Sequence, residues 1–172
     1  MAARMAKRAR TDPDKTRNAL DCAEYDMHID RAFELSQRIG VLPHVLYLSV
    51  PCRFTVQNEA GYHVPEKRME PMFVLKSAQM GRYLGTTANG IEVDARWHEN
   101  DGRVNTISEI APFHAFRIPL NRNHLRAGIW NVFPVYHGTH MPLQGGFLFK
   151  HDIRGFYEDL LAMITAFEEA RS

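Results

Sequence analysis

The spacing of hydrophobic residues predicts an amphipathic helix towards each end of the chain. Within residues 20–38, Ile29 and Phe33 fall on one helical stripe, and Asp30 is one of two aspartates placed to cap the start. A second helix is predicted over residues 155–170. Its apolar face consists of Phe156, Leu160, Ile164 and Phe167.

Two apolar runs between these helices predict strands of a buried sheet, residues 45–50 and 128–135. Residues 51–90 are interrupted by glycines and prolines, which predicts a long irregular connection with one helix over 71–80. A helix followed by a buried strand favours layers of helices on a sheet. The pattern therefore indicates the α/β class rather than a helical bundle.

Composition and charge narrow the possible functions. The 172 residues carry 21 Lys and Arg against 20 Asp and Glu, so the net charge of +1 gives no electrostatic case for a nucleic-acid partner. No apolar run is long enough for a transmembrane segment. Residues 1–16 are basic and lack the apolar stretch of a secretory signal, which predicts a disordered tail. A localisation signal or a nucleic-acid patch is the alternative for this tail.

Two residues are candidates for acid–base chemistry. Asp101 lies in a tight-turn sequence, and His140 follows the predicted strand at 128–135. An acid followed by a histidine, each on a loop, is the order found in α/β-hydrolases after their nucleophilic serine. No serine of the chain stands in a Gly-x-Ser-x-Gly elbow, and no His-Glu-x-x-His or Cys-x-x-Cys motif predicts a self-contained zinc site.

Several stretches resemble the C-terminal half of the Staphylococcus/Bacillus-type bacterial triacylglycerol lipases, which are zinc- and calcium-containing α/β-hydrolases. The most specific is WHENDGRVNTIS at 97–108, similar to the family's Trp-x-Glu-Asn-Asp-Gly-x-Val-Asn-Thr segment. The other matches follow in order and are DCAEYDMHIDRAFELSQR, PHVLYLSV, VPEKRMEPM, AGIWNVFPVYHGTHM and FKHDIRGFYEDLLAMI. Together they cover roughly residues 18–168.

The resemblance implies a fold and a division of the chain. The fold class is α/β, as the C-terminal part of an α/β-hydrolase fold with few strands flanked by helices. The N-terminal half of that fold, which carries the nucleophile elbow, is expected to be absent. Residues 1–16 form the basic tail, and residues 17–172 form the lipase-like C-terminal α/β-hydrolase region.

The resemblance also implies site residues and metals. Asp101 matches the triad acid and His140 the triad base, while Asp21 matches one zinc ligand of a site that is otherwise incomplete here. The calcium site looks lost, because Arg68 stands in place of a glycine and Pro142 in place of a ligating glutamate. No cofactor is therefore certain from the sequence, and the family's zinc and calcium sites are both expected to be incomplete.

Three functional hypotheses remain open at this point. In the first, the chain supplies the triad acid and base for hydrolysis of acylglycerols or other ester lipids. It is then inactive alone and needs an N-terminal lipase half, or self-association, as partner. In the second, it is a non-catalytic lipid- or protein-binding module derived from a lipase. In the third, it is an unrelated α/β protein whose histidine-rich loops bind a metal. The family is exported, whereas no signal peptide is recognised here, so the location stays open.

Overall fold

A computed structural model describes residues 28–144 and 153–171 of the protein. Its helices are α1 (Ile29–Arg38), α2 (Pro71–Met80) and α3 (Ile153–Glu169). Each lies where the sequence predicts a helix, and the four predicted apolar positions of α3 are half-buried. Residues 20–27 of the first predicted helix lie outside the described residues. No helix in the described ranges has the length and apolar character needed to cross a lipid bilayer.

Within the described ranges the strands are short and form four small sheets. They are β1 (Tyr47–Ser49), β2 (Cys52–Arg53), β3 (Thr55–Gln57), β4 (His63–Pro65), β5 (Gly85–Thr86), β6 (Glu92–Val93), β7 (Arg117–Pro119), β8 (Trp130–Val132) and β9 (Tyr136–His137). A parallel sheet has the order β1-β8-β7, and β2 pairs in parallel with β9. Antiparallel pairs β3–β4 and β5–β6 complete the set.

Asn131 holds the parallel sheet together at its centre. Its side chain is fully buried on β8. The amide nitrogen Nδ2 donates to backbone carbonyls of Tyr47 at 3.1 Å, Arg126 at 2.8 Å and Ile129 at 3.0 Å. The amide oxygen Oδ1 accepts the N–H of Arg126 at 3.1 Å. One buried side chain thus contacts four backbone groups, with the two NH₂ hydrogens shared among three carbonyls.

Three expectations from the sequence are wrong in detail. The run 45–50 forms strand only over Tyr47–Ser49 and is largely half-buried, because β1 is an outer strand of its sheet. Asp30 does not cap α1. Its carboxylate is buried and instead accepts the backbone N–H groups of Ala88 and Asn89. Residues 51–90 are not an irregular connection, since four of the short strands lie within them.

Candidate active site

The two candidate triad residues, Asp101 and His140, are in direct contact. Nδ1 of His140 is 2.6 Å from Oδ2 of Asp101. The second oxygen, Oδ1, accepts the backbone N–H groups of Arg103 at 2.8 Å and Val104 at 2.7 Å. The Asp101 side chain is 0% exposed and that of His140 is 25% exposed. Because an ionised carboxylate only accepts, Nδ1 carries a proton and Nε2 keeps its lone pair.

A rigid turn presents Asp101. The preceding side chain, Asn100, is fully buried and bonds to Ser77, to His98 and to the backbone N–H of Gly102. Gly102 has φ +98°, and a Cβ there would lie 2.8 Å from Cβ of Phe73. Only glycine fits that conformation and that space. The Asn100–Gly102 turn predicted from the sequence is therefore fixed by a buried polar network.

The loop that follows β9 presents His140. Its backbone N–H donates to the carbonyl of Asp101 at 3.2 Å, so the two residues are joined through main chain and side chain alike. Next to it, Thr139 is buried and donates its hydroxyl to Oε1 of Glu70 at 2.8 Å. Glu70 is the residue immediately before α2. These contacts orient the imidazole before any substrate arrives.

A third carboxyl group, that of Glu109, lies beside the pair and is missed by the sequence reasoning. Its Oε1 is 3.9 Å from Nδ1 of His140, and its Oε2 accepts the N–H of Cys52 at 2.6 Å. Burial, and then the nearby charge of Asp101, raise the pKa of Glu109 to about 8. The only sequence signal was an acidic residue next to Ile110, directly after the most specific motif.

The raised pKa of Glu109 makes stability fall as the pH rises. Between its ordinary pKa near 4.5 and about 8, the folded protein holds a proton that the unfolded chain has lost. We expect the free energy of unfolding to drop by on the order of 3 kcal/mol from about pH 5 to about pH 9, measured by urea unfolding. In Glu109→Gln this drop should largely vanish. The exposed Glu158→Gln is the control and should keep it. An equal drop in wild type and Glu109→Gln would contradict the assignment.

Nε2 of His140 has no hydrogen-bond partner in the part of the chain that the structure describes. Three of the serine hydroxyls there are engaged elsewhere. Ser36 donates to Phe33, Ser49 to Ile110 and Ser77 to Asn100. No hydrogen bond joins a described serine to this ring nitrogen, the one that would accept the proton of a nucleophile.

The described residues at the implied calcium site lack one of the ligands that the resemblance implies. Pro142 is fully buried and has no side-chain ligand, so this position does not fit calcium, whereas the exposed Arg68 still offers a backbone carbonyl. Asp21, the zinc-ligand position, lies outside the described residues. Within the described ranges, one group of side chains could offer metal ligands: Asp101, Glu109 and His140. One ligand atom from each lies within 4.8 Å of the other two.

That cluster is a hydrogen-bonded group rather than a metal centre. Ligand atoms on one tetrahedral zinc lie about 3.3 Å apart, as follows from bonds of about 2.0–2.1 Å. The 2.6 Å separation between Asp101 and His140 is too short for two ligands and suits a strong charge-assisted hydrogen bond.

Comparison with known proteins identifies the family. Residues 5–158 match the family model described as "Lipase-like, C-terminal domain". The chain belongs to this family. The "Lipase" of Staphylococcus hyicus is 26% identical over 159 residues, which cover 88% of this chain and 23% of that protein. This lipase-like domain thus spans less than a quarter of that relative. The family match also removes the hypothesis of an unrelated α/β protein.

Solved structures show the same fold. The crystal structure of Staphylococcus hyicus lipase superposes with a TM-score of 0.79 at 24% identity, over 91% of this chain and 40% of that one. EstA from Clostridium botulinum gives a TM-score of 0.74 at 26% identity, over 87% of this chain and 38% of that one. The resemblance to lipases noted from the sequence is confirmed. The mixed helices and strands of the chain are those of lipase C-terminal domains.

Proposed function

We propose that this lipase-like domain supplies the acid and the base of a Ser-His-Asp hydrolase that acts on acylglycerols or other ester lipids. The observation that carries the proposal is the 2.6 Å contact between Nδ1 of His140 and the fully buried carboxylate of Asp101. It places an oriented imidazole with a free Nε2 at a partly exposed position. The lipase names of the relatives support esters as the substrate class.

In the proposed mechanism His140 acts as the base and Asp101 supports it. Nε2 of His140 takes the proton of a serine hydroxyl while the serine oxygen attacks the ester carbonyl. The same proton then passes to the departing alcohol oxygen, and the acyl group remains on the serine. Water then attacks the acyl carbon and gives its proton to Nε2. The bond between the acyl group and the serine oxygen breaks, the proton passes from Nε2 to that oxygen, and the acid is released. Asp101 holds the imidazole in the required tautomer and stabilises its protonated form throughout.

The serine in this scheme comes from outside the described residues. The family resemblance assigns it to an N-terminal half that carries the nucleophile elbow, so we infer that the acting enzyme contains both parts. By this inference the domain alone does not hydrolyse esters. It supplies two of the three triad groups in a geometry that is already set.

Hydrolysis of p-nitrophenyl butyrate tests the proposal. The purified chain is assayed alone and mixed with the segment of Staphylococcus hyicus lipase that precedes the matched region. Formation of the complex is followed by size-exclusion chromatography. We expect activity only in the complex, and a loss of about 10³-fold or more on replacing His140 by alanine. His124→Ala, which removes an exposed loop histidine, is the control and should leave the activity intact.

Two results would count against the proposal. A complex that forms but hydrolyses no ester would favour the alternative, a non-catalytic lipid- or protein-binding module. Activity of the chain alone that survives His140→Ala would show that a different nucleophile and base are at work.

A further inference from the structure

The carboxyl group of Glu109 lies where it can influence His140 through Asp101. It is within hydrogen-bonding reach of the Asp101 carboxylate, and its Oε1 is 3.9 Å from Nδ1 of His140. The 2.6 Å bond from Cys52 N–H fixes its other oxygen. Glu109 ends the short 3₁₀ turn Thr106–Glu109, and the hydroxyl of Thr106 bonds to the carbonyl of Cys52 at 2.7 Å. Both ends of the turn are thus tied to β2.

The surroundings disfavour a second negative charge at this place. Asp101 is fully buried, and the Glu109 side chain is only 16% exposed. Two adjacent carboxyl groups with so little solvent retain one proton between them more easily than they ionise together. Among the described residues Glu109 forms an ion pair with no lysine or arginine, and the basic side chain next to it is that of His140.

The other titratable group that faces Glu109 carries no charge. It is the thiol of Cys52, whose pKa burial raises to about 12. His140 and Asp101 are therefore the two groups that respond when Glu109 gains or loses its proton.

We propose that Glu109 is a positioning residue of the Asp101–His140 pair: as a neutral acid it donates its proton to the Asp101 carboxylate and leaves one negative charge facing the imidazole. Its role in hydrolysis rests on the proposed function, whereas its coupling to His140 does not. Loss of the proton places two carboxylates next to Nδ1. The imidazole then experiences the field of a second negative charge. Because the pKa of Glu109 is about 8, Glu109 loses its proton on the alkaline side of neutrality.

Nuclear magnetic resonance of the full chain tests the coupling without any serine partner. Ring nitrogen and Cε1 signals of ¹⁵N,¹³C-labelled histidine are followed from about pH 5 to pH 10, and His140→Gln identifies the His140 signals. We expect two steps at His140, its own protonation and a second step with a midpoint near pH 8. In Glu109→Gln the second step should be lost.

A matched control variant and a signal from the Glu109 carboxyl group itself complete the test. Glu66 also pairs with a histidine, since its Oε1 is 2.7 Å from Nε2 of His137, away from the cluster. Glu66→Gln should therefore leave the second step of His140 unchanged. The side-chain carboxyl carbon of Glu109, labelled with ¹³C in the unmutated chain, should titrate with the same midpoint. That measurement needs no substitution to fold.

A Glu109 carboxyl signal that titrates near its ordinary pKa of about 4.5 would overturn the proposal. So would a second step at His140 that persists in Glu109→Gln or disappears in Glu66→Gln. These outcomes are independent of ester hydrolysis. A chain that shows the coupling and yet forms no active esterase would refute the proposed function alone.

Discussion

Replacing Asp101 by asparagine is expected to lower kcat for p-nitrophenyl butyrate by about 10⁴-fold in the complex with a serine-bearing segment, with little change in KM. The asparagine oxygen can still accept the N–H groups of Arg103 and Val104, so the turn should survive. Its NH₂ group would then face Nδ1 of His140 as a donor. The imidazole would have to turn its lone pair to Nδ1 and its proton to Nε2, the wrong tautomer for accepting a serine proton.

The control for this variant makes the same chemical change on the surface. Asp94 pairs with Arg96 at 2.7 Å in a half-buried position and has no contact with Asp101 or His140 among the hydrogen bonds and ion pairs of the described residues, so Asp94→Asn should keep kcat within about twofold of wild type. The test is steady-state kinetics of wild type, Asp101→Asn and Asp94→Asn. Thermal melting shows that each protein is folded. If Asp101→Asn retained more than about a tenth of the wild-type kcat, Asp101 would not be the triad acid.

The second large expected effect is a loss of stability on substitution of Asn131. Aspartate has nearly the same shape, but it has no NH₂ to donate to the carbonyls of Tyr47, Arg126 and Ile129. A carboxylate would instead face three carbonyl oxygens in a fully buried site. We expect Asn131→Asp to lower the free energy of unfolding at neutral pH by about 4 kcal/mol, measured by urea unfolding.

The identical substitution at an exposed position isolates this cause. Asn123 lies on the surface, and Asn123→Asp should shift the free energy of unfolding by no more than about 0.5 kcal/mol. Acid should also restore part of the stability of Asn131→Asp, because a protonated carboxyl group regains one donor. A loss below about 1 kcal/mol would show that the sheet tolerates the change and that the amide network is not what holds it.

Local signals explain what the sequence predicts correctly. The helix over residues 71–80 is confirmed with these bounds, because Pro71 suits a first helical turn and glycine follows the last residue. A Cβ at that glycine, Gly81, would lie 1.9 Å from the carbonyl oxygen of His63. The turn around Asp101 is likewise encoded by adjacent residues. The roles of Asp101 and His140 as triad acid and base stay a prediction, made from their order along the chain and from the family resemblance.

Contacts between distant segments explain what the sequence does not predict. Asp30 looks like a helix cap in its own segment, but the backbone N–H groups that it binds belong to residues 88 and 89. The pairing of β2 with β9 depends on register between remote strands. From the sequence alone Glu109 resembles an ordinary surface acid. Its neighbours Cys52, Asp101 and His140 are brought next to it only by the fold.

The double link between Asp101 and His140 bears on how an active enzyme would assemble. Their backbones and side chains are joined within one folded unit. Aligning the third group is then a problem of docking one rigid body on another, rather than of assembling three independent parts. The conformational entropy of orienting Asp101 against His140 is lost when the domain folds. Association then restricts only the relative translation and rotation of the two bodies. An error in docking would displace the nucleophile relative to Asp101 and His140 without changing the geometry between these two residues.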